Sequence, residues 1–358
     1  MLVAGASGVV GLAATRHVAS LPGWDVIGVA RRPVPVDGVT TLALDLADAD
    51  ACRAALAGRG DITHVVYAAL FEKPGLVPGW FERDQMERNL AMFTNLLDPL
   101  VAAGGLQHVS VLQGTKAYGA HVTPMAVPGR EREPRHAHEN FYWLQEDALR
   151  QRQAGAPWSF TILRPQIIFG EAQGSNMNPI PALGVYAAVL RHDGEPLHFP
   201  GQAPFLTEAV DADLLARALA WAATSPAARG ETFNVTNGDV FVLEHLWPAI
   251  ADAFGMAVGE RRPRALAATM PARQDTWTAI VRRFGLAAPE DLARFVGQSF
   301  IYADLVSGYG RTETPPPTLV STIKIRQAGF ADCVDTEDMF RRIIASLQAQ
   351  RLLPPRAW

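Results

Sequence analysis

Lysine is almost missing from this chain. Lys73, Lys116 and Lys324 are its only three, and apart from histidine every other basic side chain is arginine. At an indifferent position such a composition would supply arginine, so a lysine inside a motif draws notice. Cysteine is scarcer still. Cys52 and Cys333 show no Cys-x-x-Cys or Cys/His spacing, which excludes a disulfide framework and structural zinc. Both are expected as buried, reduced thiols. No apolar run approaches the roughly 20 residues that cross a bilayer, so no membrane span is expected. Charge of one sign is also lacking: a formal net charge of -4 gives no reason to expect nucleic acid or an acidic membrane surface as partner. Met1–Ala4 is too short for a signal peptide, and a cytoplasmic location is expected. His121, His136 and His138 lie in or beside a loop rich in proline and charge (123–138). Without acidic or cysteine ligands they read as surface histidines, and no metal is expected.

What is present is a chain of 358 residues, 49% hydrophobic and 19% charged, enough for one large domain with a lobe or for two domains. It opens on a buried strand, Met1–Ala4, then Gly5-Ala6-Ser7-Gly8-Val9-Val10-Gly11 and a helical pattern from Leu12. Glycines at this place serve a tight turn, backbone approach to a pyrophosphate, and close packing of helix on sheet. The helix N-terminus then offers its N–H groups to phosphate. A second strand, Val26–Ala30, ends in Arg31-Arg32 without a carboxylate. An acidic residue there binds a ribose 2′-hydroxyl, whereas arginine accommodates a 2′-phosphate, so NADPH (NADP+) is the expected cofactor. A third strand, Leu42–Leu46, would set Asp45 and Leu46 beside the adenine. A fourth, His64–Ala69, ends in small residues, Ala68 among them, that let a cofactor lie close. Strands at 108–112, 159–165 and 231–236, a helix at 81–102, a capped helix over 205–223 and another over 335–350 continue the alternation. The fold class expected is α/β, a Rossmann-type doubly wound parallel sheet with a smaller, interleaved C-terminal substrate lobe. The sheet domain is assigned to 1–170 plus 205–240, and the lobe to 171–204 plus 241–358. Phe141, Trp143, Phe169, Phe205 and Trp277 could form an apolar wall.

The Gly-x-x-Gly-x-x-Gly spacing is that of short-chain dehydrogenases, whose catalytic signature is Tyr-x-x-x-Lys. No tyrosine here has a lysine four residues on. After Tyr142, in Asn140-Phe141-Tyr142-Trp143, that place holds Glu146. If the chemistry is retained, the ammonium arrives from elsewhere, and Lys116 in Gln113-Gly114-Thr115-Lys116-Ala117-Tyr118 is the candidate.

With these motifs the chain resembles the extended short-chain dehydrogenases. More specifically, it is similar to the progesterone 5β-reductase/iridoid synthase-like enone reductases of plants and bacteria. Arg164-Pro165-Gln166-Ile167-Ile168-Phe169-Gly170, Ser175-Asn176-Met177-Asn178 and Asn234-Val235-Thr236-Asn237-Gly238 extend the likeness over nearly the whole chain. The resemblance implies Tyr142 and Lys116 as the catalytic pair. It implies cofactor contacts at Gly5, Ser7, Gly8, Val9, Val10, Arg31, Arg32 and Asp45, with Gln113, Pro165, Ile167, Ser175 and Met177 along the nicotinamide half. It also implies 1,4-hydride addition to a small apolar enone or enal and, as in relatives, a homodimer. The chain departs from plant members in lacking a threonine between Gln113 and Gly114, in having Trp143 where a second tyrosine is common, and in a shorter loop between lysine and tyrosine. Residue chemistry alone leaves open a carbonyl reductase, a sugar-nucleotide epimerase/dehydratase, and a non-enzymatic NADP(H) sensor. An epimerase is expected to keep Tyr-x-x-x-Lys.

Overall fold

The computed structural model describes residues 1–358. In chain order the strands are β1 (Leu2–Ala4), β2 (Ile27–Ala30), β3 (Thr40–Ala43), β4 (His64–Tyr67), β5 (His108–Leu112), β6 (Ser159–Pro165), β7 (Ile167–Phe169), β8 (Leu197–Phe199), β9 (Ala209–Asp211), β10 (Glu231–Val235) and β11 (Val258–Arg261). Among the helices are α1 (Val9–Ala19), α2 (Ala49–Leu56), α3 (Arg83–Ala103), α4 (Phe141–Gln153), α5 (Pro179–His192) and α6 (Ala212–Thr224). Seven strands form one parallel sheet in the order β10-β6-β5-β4-β1-β2-β3. Strand order reverses between β1 and β4, and a doubly wound sheet binds ligands at the carboxyl ends of its strands at that point.

The chain divides into two compact units, the first of residues 1–166, 212–236 and 320–332, the second of 167–211, 237–319 and 333–358. The first holds the whole seven-stranded sheet. Parallel strands covered on both faces read as near-continuous apolar runs. Leu2, Val65, Tyr67, Val109 and Val111 accordingly pack with Phe93, Leu96, Leu97 and Leu100 of α3. Residues 320–332, assigned from sequence to the lobe, belong to this unit because Val320 bridges to Gly129 and the short helix Ile323–Gln327 packs on β10. In the second unit α5 is buried along almost its whole length within a core that includes Trp247, Trp277, Phe295 and Phe340.

Three sequence expectations are corrected. The third strand runs over 40–43 rather than 42–46, because its register is set by pairing Ile27–Ala30 with Thr40–Ala43. The run 205–223 is not one helix: Ala209–Asp211 pairs with Ile167–Phe169 as a strand before α6 begins. Cys333 is exposed, while Cys52 is buried as expected. No helix is long and apolar enough to cross a membrane.

Candidate active site

At the carboxyl end of β1 the backbone is built for close approach. Gly5 has φ +78°, and a Cβ there would lie 2.7 Å from the Ala68 carbonyl oxygen, so the turns after β1 and β4 touch. A Cβ on Gly11 would stand 2.1 Å from the Gly5 oxygen. Gly8 is the extended N-cap of α1 and places no side chain over the first turn, which carries no acidic residue. The N–H groups of the first turn, where Val9 and Val10 stand, lack intrahelical acceptors and suit an anion. Ser7 is half-buried on the same turn. Arg31 and Arg32 follow β2 and are exposed. Asp45 is exposed beyond β3, its Oδ1 accepting from the Ala47 N–H at 3.0 Å, and Leu46 is buried. A cradle that Cβ atoms would fill and an uncapped helix start together fit the pyrophosphate of a dinucleotide.

Tyr142 and Lys116 come from elements joined by one side chain. Asn140, buried, caps α4 by accepting from the Tyr142 N–H at 3.0 Å and donates from Nδ2 to the Lys116 carbonyl oxygen at 3.4 Å. Gly114, just before the single 3₁₀ turn Thr115–Tyr118 that carries Lys116, lies against the tyrosine. A Cβ on Gly114 would be 3.2 Å from the Tyr142 hydroxyl and 3.5 Å from the Pro165 carbonyl oxygen. Tyr142 itself is half-buried. The Lys116 ammonium sits 3.5 Å from the centre of the Trp80 ring. Lys116 keeps some accessible surface as a residue, yet protein closes around its charge. That burial brings its pKa down to about 8, against the opposing pull of the Glu72 carboxylate. Burial pushes the Glu72 carboxyl above its ordinary value, a shift that the Lys116 charge, Gln85 and Trp80 only partly offset.

Glu146, in the place of the usual lysine, is held in a separate network behind the tyrosine. It is buried and accepts from Gln113 Nε2 at 2.8 Å, from Arg150 at 2.9 Å and from Arg135 at 3.2 Å. Burial alone would raise its pKa; the hydrogen bonds from Gln113 and Arg150 and the arginine charges outweigh that and hold it low. The Gln113 oxygen accepts from Arg164 Nε at 2.8 Å, so both ends of the Gln113 amide are committed within this network. Glu146 is therefore a fixed anion rather than a proton carrier.

A model of the NAD dependent epimerase/dehydratase family matches residues 1–236. The chain is 33% identical to an (S)-8-oxocitronellyl enol synthase of Antirrhinum majus, over 99% of this chain and 92% of that protein. It is 32% identical to a 3-oxo-Delta(4,5)-steroid 5-beta-reductase of Arabidopsis thaliana, over the same shares. The chain belongs to the NAD dependent epimerase/dehydratase family, in its progesterone 5β-reductase/iridoid synthase-like branch. Among solved structures, the UDP-glucose 4-epimerase of Thermotoga maritima matches with a TM-score of 0.67 at 16% identity, over 97% of this chain and 98% of that one. A short-chain dehydrogenase/reductase superfamily protein of Agrobacterium tumefaciens with bound NAD matches at 0.63 and 17%, over 98% and 97%. Those two likenesses concern the fold.

Within this reductase-like chain the remaining expected residues are distributed over both units. Ile167 lies on β7, and Ser175 and Met177 lie on the segment before α5, all in the second unit. Phe169 and Trp277 are fully buried in that unit's core rather than free to form a pocket wall. The histidines are not separate surface residues. The rings of His121 and His136 lie 5.0 and 4.8 Å from that of His138, and all three are half-buried. Burial, with Lys116 and the other two histidines adding to it, brings His121 down to about 4. No group of three or more His, Cys, Asp or Glu has metal-holding geometry. Sequence reasoning missed Glu72, Trp80, Gln85 and Asn140. The available signal was Gln85 and Asn89, two amides on the face of α3 that also carries Met86, Phe93 and Leu97.

Proposed function

We propose that the protein is an NADPH-dependent reductase of carbon–carbon double bonds conjugated to a ketone or aldehyde. The observation that carries this reading is the relocated cation: Lys116 is delivered by the turn after β5, while the position four residues after Tyr142 holds an ion-paired glutamate. The named activities of the Antirrhinum and Arabidopsis relatives point to apolar terpenoid and steroid enones or enals as the substrate class.

When bound, NADPH supplies a hydride to the β-carbon of the enone. The chain's own residues then act on the electron pair displaced onto the carbonyl oxygen. Tyr142 donates its O–H to that oxygen, and the positive charge of Lys116, on the turn that Asn140 ties to the start of α4, favours the negative charge there. An enolate is far less basic than an alkoxide, so a hydrogen bond is sufficient and the α-carbon takes its proton from water. Gly5, Gly8 and the first turn of α1 hold the phosphates, and Arg31 and Arg32 hold the additional 2′-phosphate. With a pKa of about 8, Lys116 is mostly charged at neutral pH.

The test is NADPH consumption with 2-cyclohexenone, progesterone and a linear enal, with product identification. Saturated carbonyl products are expected. Allylic alcohols as the main products would replace this reading with carbonyl reduction.

A further inference from the structure

Glu72 is a buried carboxylate on the loop after β4, and its surroundings look built. Two amides one turn apart on α3 clamp this loop. Asn89 accepts from the Phe71 N–H and donates to the Phe71 carbonyl, both at 2.9 Å. Gln85 accepts from the Lys73 N–H at 2.9 Å and donates from Nε2 to Glu72 Oε2 at 2.7 Å. Both amides are buried, and with them the carboxylate. Glu72 Oε1 and the Trp80 indole nitrogen are each buried without a hydrogen-bond partner; the indole N–H lies near enough to favour the charged carboxylate without reaching good geometry. Lys73, next in the chain, directs its ammonium to Glu82 and to Asp84 at 2.6 Å instead. Lys116, whose ammonium lies on the Trp80 ring, is the cation whose charge acts on Glu72. Glu72 is the charged group that acts on Lys116, and the Lys116 charge in turn helps hold His121, on the same loop, neutral.

A buried carboxylate with one neutral donor is costly unless a cation answers it, and a buried ammonium loses its proton unless an anion does. We propose that Glu72 is a positioning residue for the reduction: its carboxylate, fixed by Gln85, keeps the Lys116 ammonium charged and seated on the Trp80 ring for the oxyanion at Tyr142. This rests on the reductase reading above. Glu72 touches neither substrate nor cofactor in this scheme and acts through Lys116. If it only filled space or tied down its loop, its removal would lower stability without moving the ionisation of Lys116.

The scarcity of lysine makes the test direct. With lysine labelled by ¹³C at Cε, the protein gives three signals, one for each of Lys73, Lys116 and Lys324. In the wild type Lys116 is expected to titrate near pH 8. Glu72→Gln is expected to move that titration down by at least about one pH unit. The alkaline limb of the kcat profile should move with it, so that the variant's deficit at pH 8 exceeds its deficit at pH 6.5 by at least about fourfold. An unchanged Lys116 titration in Glu72→Gln overturns the proposal. If the variant does not fold, the wild type decides. The ¹³C-labelled carboxyl of Glu72 must respond as Lys116 titrates, and a Lys116 titration near the ordinary ~10.4 with no such response overturns it. The titrations need neither cofactor nor substrate. Failure to form saturated products would therefore strike the reductase reading separately.

Discussion

Replacing Asn140 by alanine should damage the proposed catalytic pair without touching either member. The side chain caps α4 at the Tyr142 N–H and reaches the Lys116 carbonyl, at 3.0 and 3.4 Å. Loss of an N-cap costs about 1 kcal/mol. The longer bond to the carbonyl adds roughly 0.5 kcal/mol. Asn140→Ala is therefore expected to lose about 1.5 kcal/mol of stability, measured by denaturant unfolding. Asp335→Ala is the control: it removes a comparable cap, whose side chain accepts from the Asp338 N–H at 3.0 Å, on a helix of the second unit. Both variants should fall in stability by similar amounts, but only Asn140→Ala should fall in kcat/KM. Displacement of a catalytic group by about 1 Å can cost on the order of 100-fold. A drop of roughly 10- to 100-fold is expected, with Asp335→Ala within about twofold of wild type. Equal kcat/KM in the two variants would refute the idea that Asn140 couples tyrosine to lysine. An undiminished stability in Asn140→Ala would refute the cap itself.

Two further outcomes are expected. Arg31→Ala should weaken NADPH binding far more than NADH binding, read by comparing Kd values from fluorescence titration; equal weakening would remove the 2′-phosphate assignment. His108 is buried between Ser159 and Ser110 hydroxyls, and burial, aided by His64 and Arg229, brings its pKa down to about 4. The unfolded chain binds a proton near pH 6.5 that the folded chain refuses, so this contribution is complete above pH 6.5 and is lost as pH falls toward 4. The loss amounts to about 3 kcal/mol. His108→Gln should flatten the stability–pH curve across that window relative to wild type, as followed by urea unfolding, and an unchanged slope would contradict the assignment.

Much of the first unit was legible because its strands are buried on both faces. Leu2–Ala4 and Val65–Tyr67 are short apolar runs whose surroundings demand that composition, and Val109 and Val111 flank a single buried serine. The edge strand β3 is largely exposed and its limits follow its partner, so local pattern misplaced its start by two residues and its end by three. The strand Ala209–Asp211 was unreadable for a related reason: three residues that pair with Ile167–Phe169 carry no periodicity apart from the helix they precede. At the candidate site the absent Tyr-x-x-x-Lys drew attention to Lys116, while Asn140 was read only as part of the motif around Tyr142 and not as a cap. Glu72 was not legible. A carboxylate in a loop looks solvated until the fold sets the buried amides of Gln85 and Asn89 against that loop. Glu146 was read only as a missing lysine, because its arginine and glutamine partners converge from 113, 135 and 150.

The most direct test of conjugate reduction is the fate of a labelled hydride. With NADPH carrying deuterium at the transferred C4 position and 2-cyclohexenone as substrate, cyclohexanone with deuterium at the β-carbon is expected, its α-proton drawn from water. Deuterium on the carbinol carbon of 2-cyclohexenol would contradict the proposed use of Tyr142 and Lys116 as enolate stabilisers.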